Sequence, residues 1–281
     1  MLDELFFKKT GDRYRANYVL YSFVLTLFGF LTAVVIFPKA ISYTFPLIVT
    51  LLFIPGFRKL IRGEELEIVK KRRLSRVLHY HSDVVKIAFF VFAGVFLAAL
   101  LIQLVSVYHP AFFQRGFEYQ ISTLHEVQNY AYGIMDPLVA GYAFDLSLYK
   151  SIGALLGEVL LLLTVGFVFS FFYGGGGILL IIVAASHLAT LVLYLLVSRG
   201  QFLGYFLLTA VLQLFFIIPL IFSAIGGCIL SKAVVHEKIN STNFRIVLLD
   251  SLILYGFGII LCVVLVAVWN IIIRAVMFYG A

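Results

Sequence analysis

Three ionisable side chains lie inside long apolar stretches of this sequence: Glu158, His187 and Asp250. Such groups are costly in hydrocarbon and often serve protons, ions or substrates. Glu158 and His187 belong to consecutive stretches joined by four glycines. On antiparallel helices rising 1.5 Å per residue, the depths of the two residues in the membrane would differ by roughly 7 Å. A direct hydrogen bond between them therefore needs helix tilt or a bridging water, and the functional hypothesis is a proton or ion relay. The alternative is a polar pair that only hydrogen-bonds neighbouring helices.

Asp250 lies about one turn into the last apolar stretch, close to Arg245 in sequence. A carboxylate near the start of a helix complements the helix dipole. We therefore expect Asp250 to cap the helix or to reach the membrane interface, where it could meet Lys232 or Arg245.

The spacing His79, His81, Asp83 resembles a metal-binding cluster on paper. Positions two apart on a helix point to different faces, which suits one ion poorly. The sequence contains no HExxH motif and no evident Ser-His-Asp set. Cys228 and Cys262 stand alone in apolar stretches and act as small hydrophobic residues. The sequence thus predicts no catalytic residue, no cofactor and no metal site.

The stretch "FFYGGGGILL" contains four consecutive glycines, residues 174–177. A phosphate-binding loop would need a Lys-Ser/Thr pair after the glycines, but Ile178 and Leu179 follow. A dinucleotide fingerprint would need a strand before the glycines and an acidic residue downstream. Because glycine permits unusual backbone angles and close helix contact, we expect a tight hairpin turn between two membrane helices.

The elements that position these residues are apolar helices. Of the 281 residues, 63% are hydrophobic and 12% are charged, against about 25% charged in soluble domains. Apolar runs near 20 residues are long enough to cross a bilayer. The sequence predicts one all-α integral membrane domain over 1–281, a polytopic bundle with about seven spans: 18–37, 41–57, 84–107, 151–172, 178–197, 202–230 and 246–273. Prolines mark two of these spans. The second span is short and contains Pro46 and Pro55, so it could be tilted, kinked or re-entrant. Pro219 predicts a kink in the sixth span.

The distribution of Lys and Arg predicts the topology. Sixteen of the 21 basic residues fall in segments that share one side of the membrane if seven spans are present. Under the positive-inside rule this side is cytoplasmic. We expect a multi-pass protein of the cell membrane with its N-terminus in the cytoplasm and its C-terminus outside.

Two connections are long enough to have structure of their own. The cytoplasmic loop 58–83 is basic and either enforces topology or contacts anionic lipid. In the outer loop 108–150, apolar residues recur at spacings of three and four, which predicts an amphipathic extracytoplasmic helix over 111–132: Phe113, Phe117, Ile121, Leu124, Val127 and Ala131. We expect this helix to lie at the outer interface or to cap the bundle.

Several short motifs resemble archaeal members of the stage II sporulation protein M family, in the same order along most of the chain. They include His81-Ser82 before a Phe-rich span, "GGCILSKAVV", and Asp250-Ser251. The glycine run resembles the family's Phe-Ser-Phe-Phe-Tyr-Gly-Ala-Gly-Ala turn, with matches at Phe169, Ser170, Phe171, Phe172, Tyr173, Gly174 and Gly176. The resemblance implies that Gly174 and Gly176 need glycine, whereas Gly175 and Gly177 tolerate alanine.

This sequence departs from that family at its polar positions. The family often has Asn-Ala-Ser where this chain has Ala184, Ala185 and Ser186, and Gln213 and Ile217 stand where a His and a Glu would fall. Bacterial relatives act in cell-envelope remodelling complexes, so the resemblance implies a membrane component of such a complex.

We therefore expect a non-enzymatic integral membrane scaffold or a complex subunit that contacts lipid and either protein partners or copies of itself, and no nucleic acid. The alternative is a transporter or channel subunit that uses Glu158 and His187.

Overall fold

The computed structural model describes the backbone of residues 13–71, 82–109, 112–113, 115–121, 144–173, 176–197, 203–236 and 241–279, with a smaller set of side chains. Every regular element in these ranges is helical, which confirms the all-α prediction. The long helices are α1 (Arg13–Ile36), α2 (Ile41–Lys71), α3 (Ser82–Ser106), α4 (Phe144–Tyr173), α5 (Gly177–Val197), α6 (Leu203–His236) and α7 (Thr242–Tyr279).

Within the described residues, four helices are long and apolar enough to cross a membrane: Asn17–Ile36, Val84–Ser106, Leu214–Val235 and Thr242–Val268. Three further apolar stretches are shorter: Ile41–Gly56 in α2, Val159–Phe172 in α4 and Gly177–Leu193 in α5. Each of the seven predicted segments therefore corresponds to a helix, and four of them have the length and composition of a membrane span.

Several helices extend beyond the boundaries that hydropathy predicts, and α2 and α4 do so by the most at one end. The second predicted span ends at residue 57, but α2 continues to Lys71 and keeps both prolines inside it. Helix α4 begins at Phe144, within the predicted outer loop. Hydropathy marks where apolar character ends; the helix continues because the sequence "RKLIRGEELEIVKK" is rich in residues with high helix propensity.

The helices pack as one bundle in which α1 contacts α2 and α3, α3 contacts α5, and α6 contacts α4, α5 and α7. The contact between α1 and α3 depends on a small residue, because a Cβ at Gly94 would overlap the hydroxyl of Ser22 and the carbonyl of Val19. Small residues allow such close approach between membrane helices.

The first and last long helices, α1 and α7, leave much of their apolar surface uncovered. Only 28% of the most apolar window is buried in α1 and in α7, compared with 67% in α6. On α1 the uncovered residues recur at helical spacing: Leu20, Val24, Phe28, Leu31 and Val35. These faces are compatible with lipid contact, because the hydrocarbon chains of lipids are as apolar as the exposed side chains.

Candidate functional site

A buried polar layer joins α2, α3, α5 and the helical segment 115–121. Its members are fully or almost fully buried: Ser42, Gln103, Gln120, Ser186 and Thr190. Four of them come from apolar stretches of α2, α3 and α5, and Gln120 lies beside the apolar stripe of the segment 115–121. Because buried polar groups need partners, the hydrogen bonds within this layer decide how these elements fit together.

Gln120 uses both ends of its side-chain amide. Its Oε1 accepts from Ser42 Oγ at 3.0 Å, and its Nε2 donates to Ser186 Oγ at 3.3 Å. The backbone N–H of Tyr119 donates to the same Ser42 hydroxyl at 2.9 Å. The segment 115–121 is thereby bonded to α2 and α5 together.

Gln103 connects α3 to α5 through one end of its amide only. Its Nε2 donates to Thr190 Oγ1 at 2.9 Å and lies 3.4 Å from the carbonyl oxygen of Ser186. Its Oε1 is buried and has no hydrogen-bond partner in the described part of the chain. The layer is thus one hydrogen-bond donor short at this position.

His187 lies beside this layer. Its ring packs edge-on against the ring of Tyr119, with centroids 5.2 Å apart and an interplanar angle of 83°. Its Nε2 is buried and finds no partner among the described residues. The imidazole thus marks the side of α5 that faces the segment 115–121.

Glu158 lies on α4 and His187 lies on α5, and these two helices contact each other only to a limited extent. They meet near the glycine turn, where a Cβ at Gly166 would lie 3.0 Å from Leu180 Cδ1. Away from the turn, α4 packs chiefly against α6 and α7, while α5 packs chiefly against α3 and α6. The side chain of Glu158 lies outside the described part, so its pairing with His187 stays a prediction.

Asp250 differs from its predicted capping or interface role. It is 3% exposed and lies on the inner face of α7 with Val247 and Leu254, both fully buried. The helix is capped instead by Ser241, whose Oγ accepts from the N–H of Phe244 at 3.1 Å. Asp250 Oδ1 is buried with no hydrogen-bond partner in the described ranges.

The next residue, Ser251, secures α7 to α6. Its Oγ donates to the carbonyl oxygen of Gly226 at 2.7 Å, and a Cβ at Gly226 would lie 3.0 Å from the Ser251 carbonyl oxygen. A comparable bond joins Ser223 of α6 to the carbonyl of Leu163 in α4. Hydroxyl-to-carbonyl bonds of this kind hold membrane helices together.

The glycine turn is tighter at Gly177 than the family resemblance implies. Helix α4 ends at Tyr173 and α5 begins at Gly177. A Cβ at Gly176 would lie 2.6 Å from the carbonyl oxygen of Phe169, which leaves no room for a side chain. The expected tolerance of Gly177 for alanine is wrong, because its Cβ would lie 2.9 Å from Ala224 Cα and overlap Ser170 Oγ. Gly174 and Gly175 lie outside the described residues.

The apolar stripe predicted in the loop 108–150 faces the core over its described part. Phe117 is fully buried and stacks on Phe30 with centroids 5.8 Å apart, while Phe113 and Ile121 pack against the same cluster. The rest of the predicted helix, from 122 to 132, is outside the described residues.

Sequence reasoning did not select Ser42, Gln103, Gln120 and Thr190. Their signal is weak, because Ser42, Gln103 and Thr190 are scattered polar residues in largely apolar stretches, and Gln120 reads as a residue of the polar face of its segment. The described residues contain no group of three His, Cys, Asp or Glu side chains that could hold a metal ion. Of the HxHxD set, His79, His81 and the side chain of Asp83 lie outside the described part.

Comparison with known proteins gives no match: no family model, no curated protein and no solved structure is similar to this chain. The resemblance to the stage II sporulation protein M family therefore stays a prediction from the short motifs quoted above.

Proposed function

We propose that this chain is a non-enzymatic integral membrane scaffold, or a subunit of a cell-envelope or membrane-remodelling complex. The proposal rests on the observation that buried hydroxyl and amide side chains form hydrogen bonds between neighbouring helices. In the described part, Gln120, Ser223 and Ser251 each bond a neighbouring element. Side chains that connect helices build a fixed framework, which is what a scaffold needs.

The membrane arrangement proposed for this framework has seven spans in the cell membrane, with the N-terminus in the cytoplasm and the C-terminus outside. The shorter apolar stretches in α2, α4 and α5 would complete the count, because all three pack within the same bundle as the four longer ones. The unequal distribution of Lys and Arg supports this orientation.

The uncovered faces of α1 and α7 are the surfaces proposed for contact with partner helices or with lipid. Photo-crosslinking residues placed at Phe28 of α1 and Ile260 of α7, which are 58% and 62% exposed, would sample both faces in native membranes. We expect discrete protein adducts from at least one face. The same variants irradiated after SDS solubilisation are the matched control. Lipid adducts alone from every position on both faces would count against the scaffold.

The second candidate is a transporter or channel subunit. It is favoured by the buried polar atoms without described partners, His187 Nε2 and Asp250 Oδ1, because unpaired ionisable groups inside a membrane often mark a transport path. Purified protein in vesicles would decide between the candidates. If the scaffold is correct, the wild type, Glu158→Gln and His187→Ala all leave proton and ion flux at the level of protein-free vesicles. Flux that the wild type supports and either variant lowers tenfold would favour the transporter.

A further inference from the structure

The two glutamines of the polar layer differ in one respect that has a chemical consequence. Among the described residues, Gln120 has a partner at both ends of its amide, whereas Gln103 has partners at Nε2 and none at Oε1. Both side chains are at most 1% exposed, so bulk solvent does not complete the set. An amide carbonyl buried without a donor costs about 1–3 kcal/mol.

Rotating the Gln103 amide by 180° does not remove this cost. The rotated carbonyl would face the carbonyl oxygen of Ser186, which is also an acceptor, and Thr190 Oγ1, which already donates to that same carbonyl at 3.1 Å. The rotated NH₂ group would then occupy the place without a partner. In either orientation, one end of the Gln103 amide has no partner among the described residues.

We propose that the polar layer binds internal water, and that Gln103 Oε1 accepts a hydrogen bond from it. Immobilising a water costs about 0–2 kcal/mol, which does not exceed the cost of leaving the carbonyl unpaired. Water is favoured over a metal ion because no carboxylate belongs to the layer, and hard cations are held mainly by several carboxylate and carbonyl oxygens.

A second group beside the layer supports the same ligand. His187 Nε2 is buried without a described partner, one residue along α5 from Ser186. Neutral imidazole nitrogen can donate to or accept from water, depending on its tautomer. The segment 115–121 adjoins both α5 residues, through Gln120 at Ser186 and through Tyr119 at His187. The hydration site therefore lies next to the segment 115–121. The proposed hydration goes beyond the scaffold function and does not depend on that function.

Water-edited solid-state NMR of the full chain in lipid bilayers tests the proposal. We expect the side-chain amide of Gln103 to gain polarisation from water at least threefold faster than the backbone amide of Thr26. Thr26 is a fitting reference because it is fully buried on α1 and its hydroxyl bonds the carbonyl of Ser22 at 2.7 Å. Equal, slow build-up at both residues would overturn the proposal.

A pair of variants links the signal to the side chain of Gln103. Gln103→Met keeps the length of the side chain but removes its amide, both the carbonyl and the NH₂ group that donates to Thr190, and we expect it to slow water transfer to the Thr190 amide at least twofold. Thr26→Val is the matched control and should leave that transfer unchanged. Unchanged transfer in Gln103→Met would show that water, if present, is not held by Gln103. If Gln103→Met fails to fold, the comparison of Gln103 with Thr26 in the wild type decides alone.

Discussion

Gln103 of α3 donates a 2.9 Å hydrogen bond to Thr190 Oγ1 of α5, although 87 residues separate them in the chain. Both side chains are buried in the polar layer, which lies within a largely apolar bundle core. The bond fixes the rotation of α3 relative to α5 in a way that non-directional apolar contacts cannot.

The energy of this bond can be measured with a double-mutant cycle of Gln103→Leu and Thr190→Val. Interhelical hydrogen bonds in membranes average about 0.6 kcal/mol and reach about 1.7 kcal/mol. We expect a coupling energy in that range from equilibrium unfolding in SDS-containing mixed micelles. The control cycle combines Gln103→Leu with Thr26→Val, and it should be additive because Thr26 Oγ1 bonds the carbonyl of Ser22 within α1. Additivity in both cycles would show that the bond contributes nothing.

Alanine scanning of the hairpin tests the correction at Gly177. Gly177→Ala places a Cβ against Ala224, and overpacking of this kind costs about 1–3 kcal/mol. Gly157→Ala on α4 is the control, since a Cβ there meets no described atom within 4 Å. We expect Gly177→Ala to lower the free energy of unfolding and Gly157→Ala to leave it unchanged or raise it. Equal effects would contradict the packing described for the turn.

The burial of Asp250 predicts that its charge is dispensable for folding. A buried carboxylate is costly unless it is paired, and Oδ1 of Asp250 has no partner in the described part of the chain. Asp250→Asn, which keeps the shape without the charge, should therefore not lower the melting temperature. The neighbouring Ser251→Ala removes the bond to Gly226 and should cost about 0.6 kcal/mol. A large loss of stability in Asp250→Asn alone would mean that the carboxylate has a partner outside the described residues.

Phe117 should anchor the outer segment to the bundle. Removing a fully buried Phe side chain costs about 3–5 kcal/mol. We expect Phe117→Ala to destabilise the protein by that amount, whereas Glu118→Ala, at the exposed neighbour, should stay within about 0.5 kcal/mol. Thermal unfolding followed by circular dichroism measures both. Similar stability of the two variants would show that the stripe does not hold the segment.

The proposed orientation can be read with cysteine labelling. Cys228 and Cys262 are fully buried and should not react with the label, so single cysteines can be introduced while both are kept. Glu118→Cys should react with a membrane-impermeant maleimide in intact cells, and Arg245→Cys should react only after the membrane is opened. Both positions are exposed. The reverse pattern would invert the proposed topology.

The helices could be predicted from the sequence, whereas most of the candidate site could not. Long apolar runs predicted the helices because hydrocarbon permits few other backbone arrangements. The end of α2 at Lys71 was missed because charged residues can continue a helix beyond its apolar part. The stripe of Phe113, Phe117 and Ile121 predicted an inward face, yet Gln120 beside it is also inward and would read as a polar-face residue.

The polar layer could not be predicted because its contacts are long-range. Ser42 meets Gln120 across 78 positions and Gln120 meets Ser186 across 66. No local spacing encodes such pairs. Likewise, the depth of His187 could be estimated from the helical rise, but the rotation of α5 that turns its ring to Tyr119 could not.

The mass of the assembly in native membranes tests the scaffold most directly. Extraction of the tagged full chain into polymer-bounded nanodiscs, without detergent, followed by native mass spectrometry gives the protein mass of each particle. The account predicts assemblies heavier than the 31.6 kDa chain, with a fixed composition of partners or copies. Particles that contain a single 31.6 kDa chain and lipid, at native expression level, would contradict it.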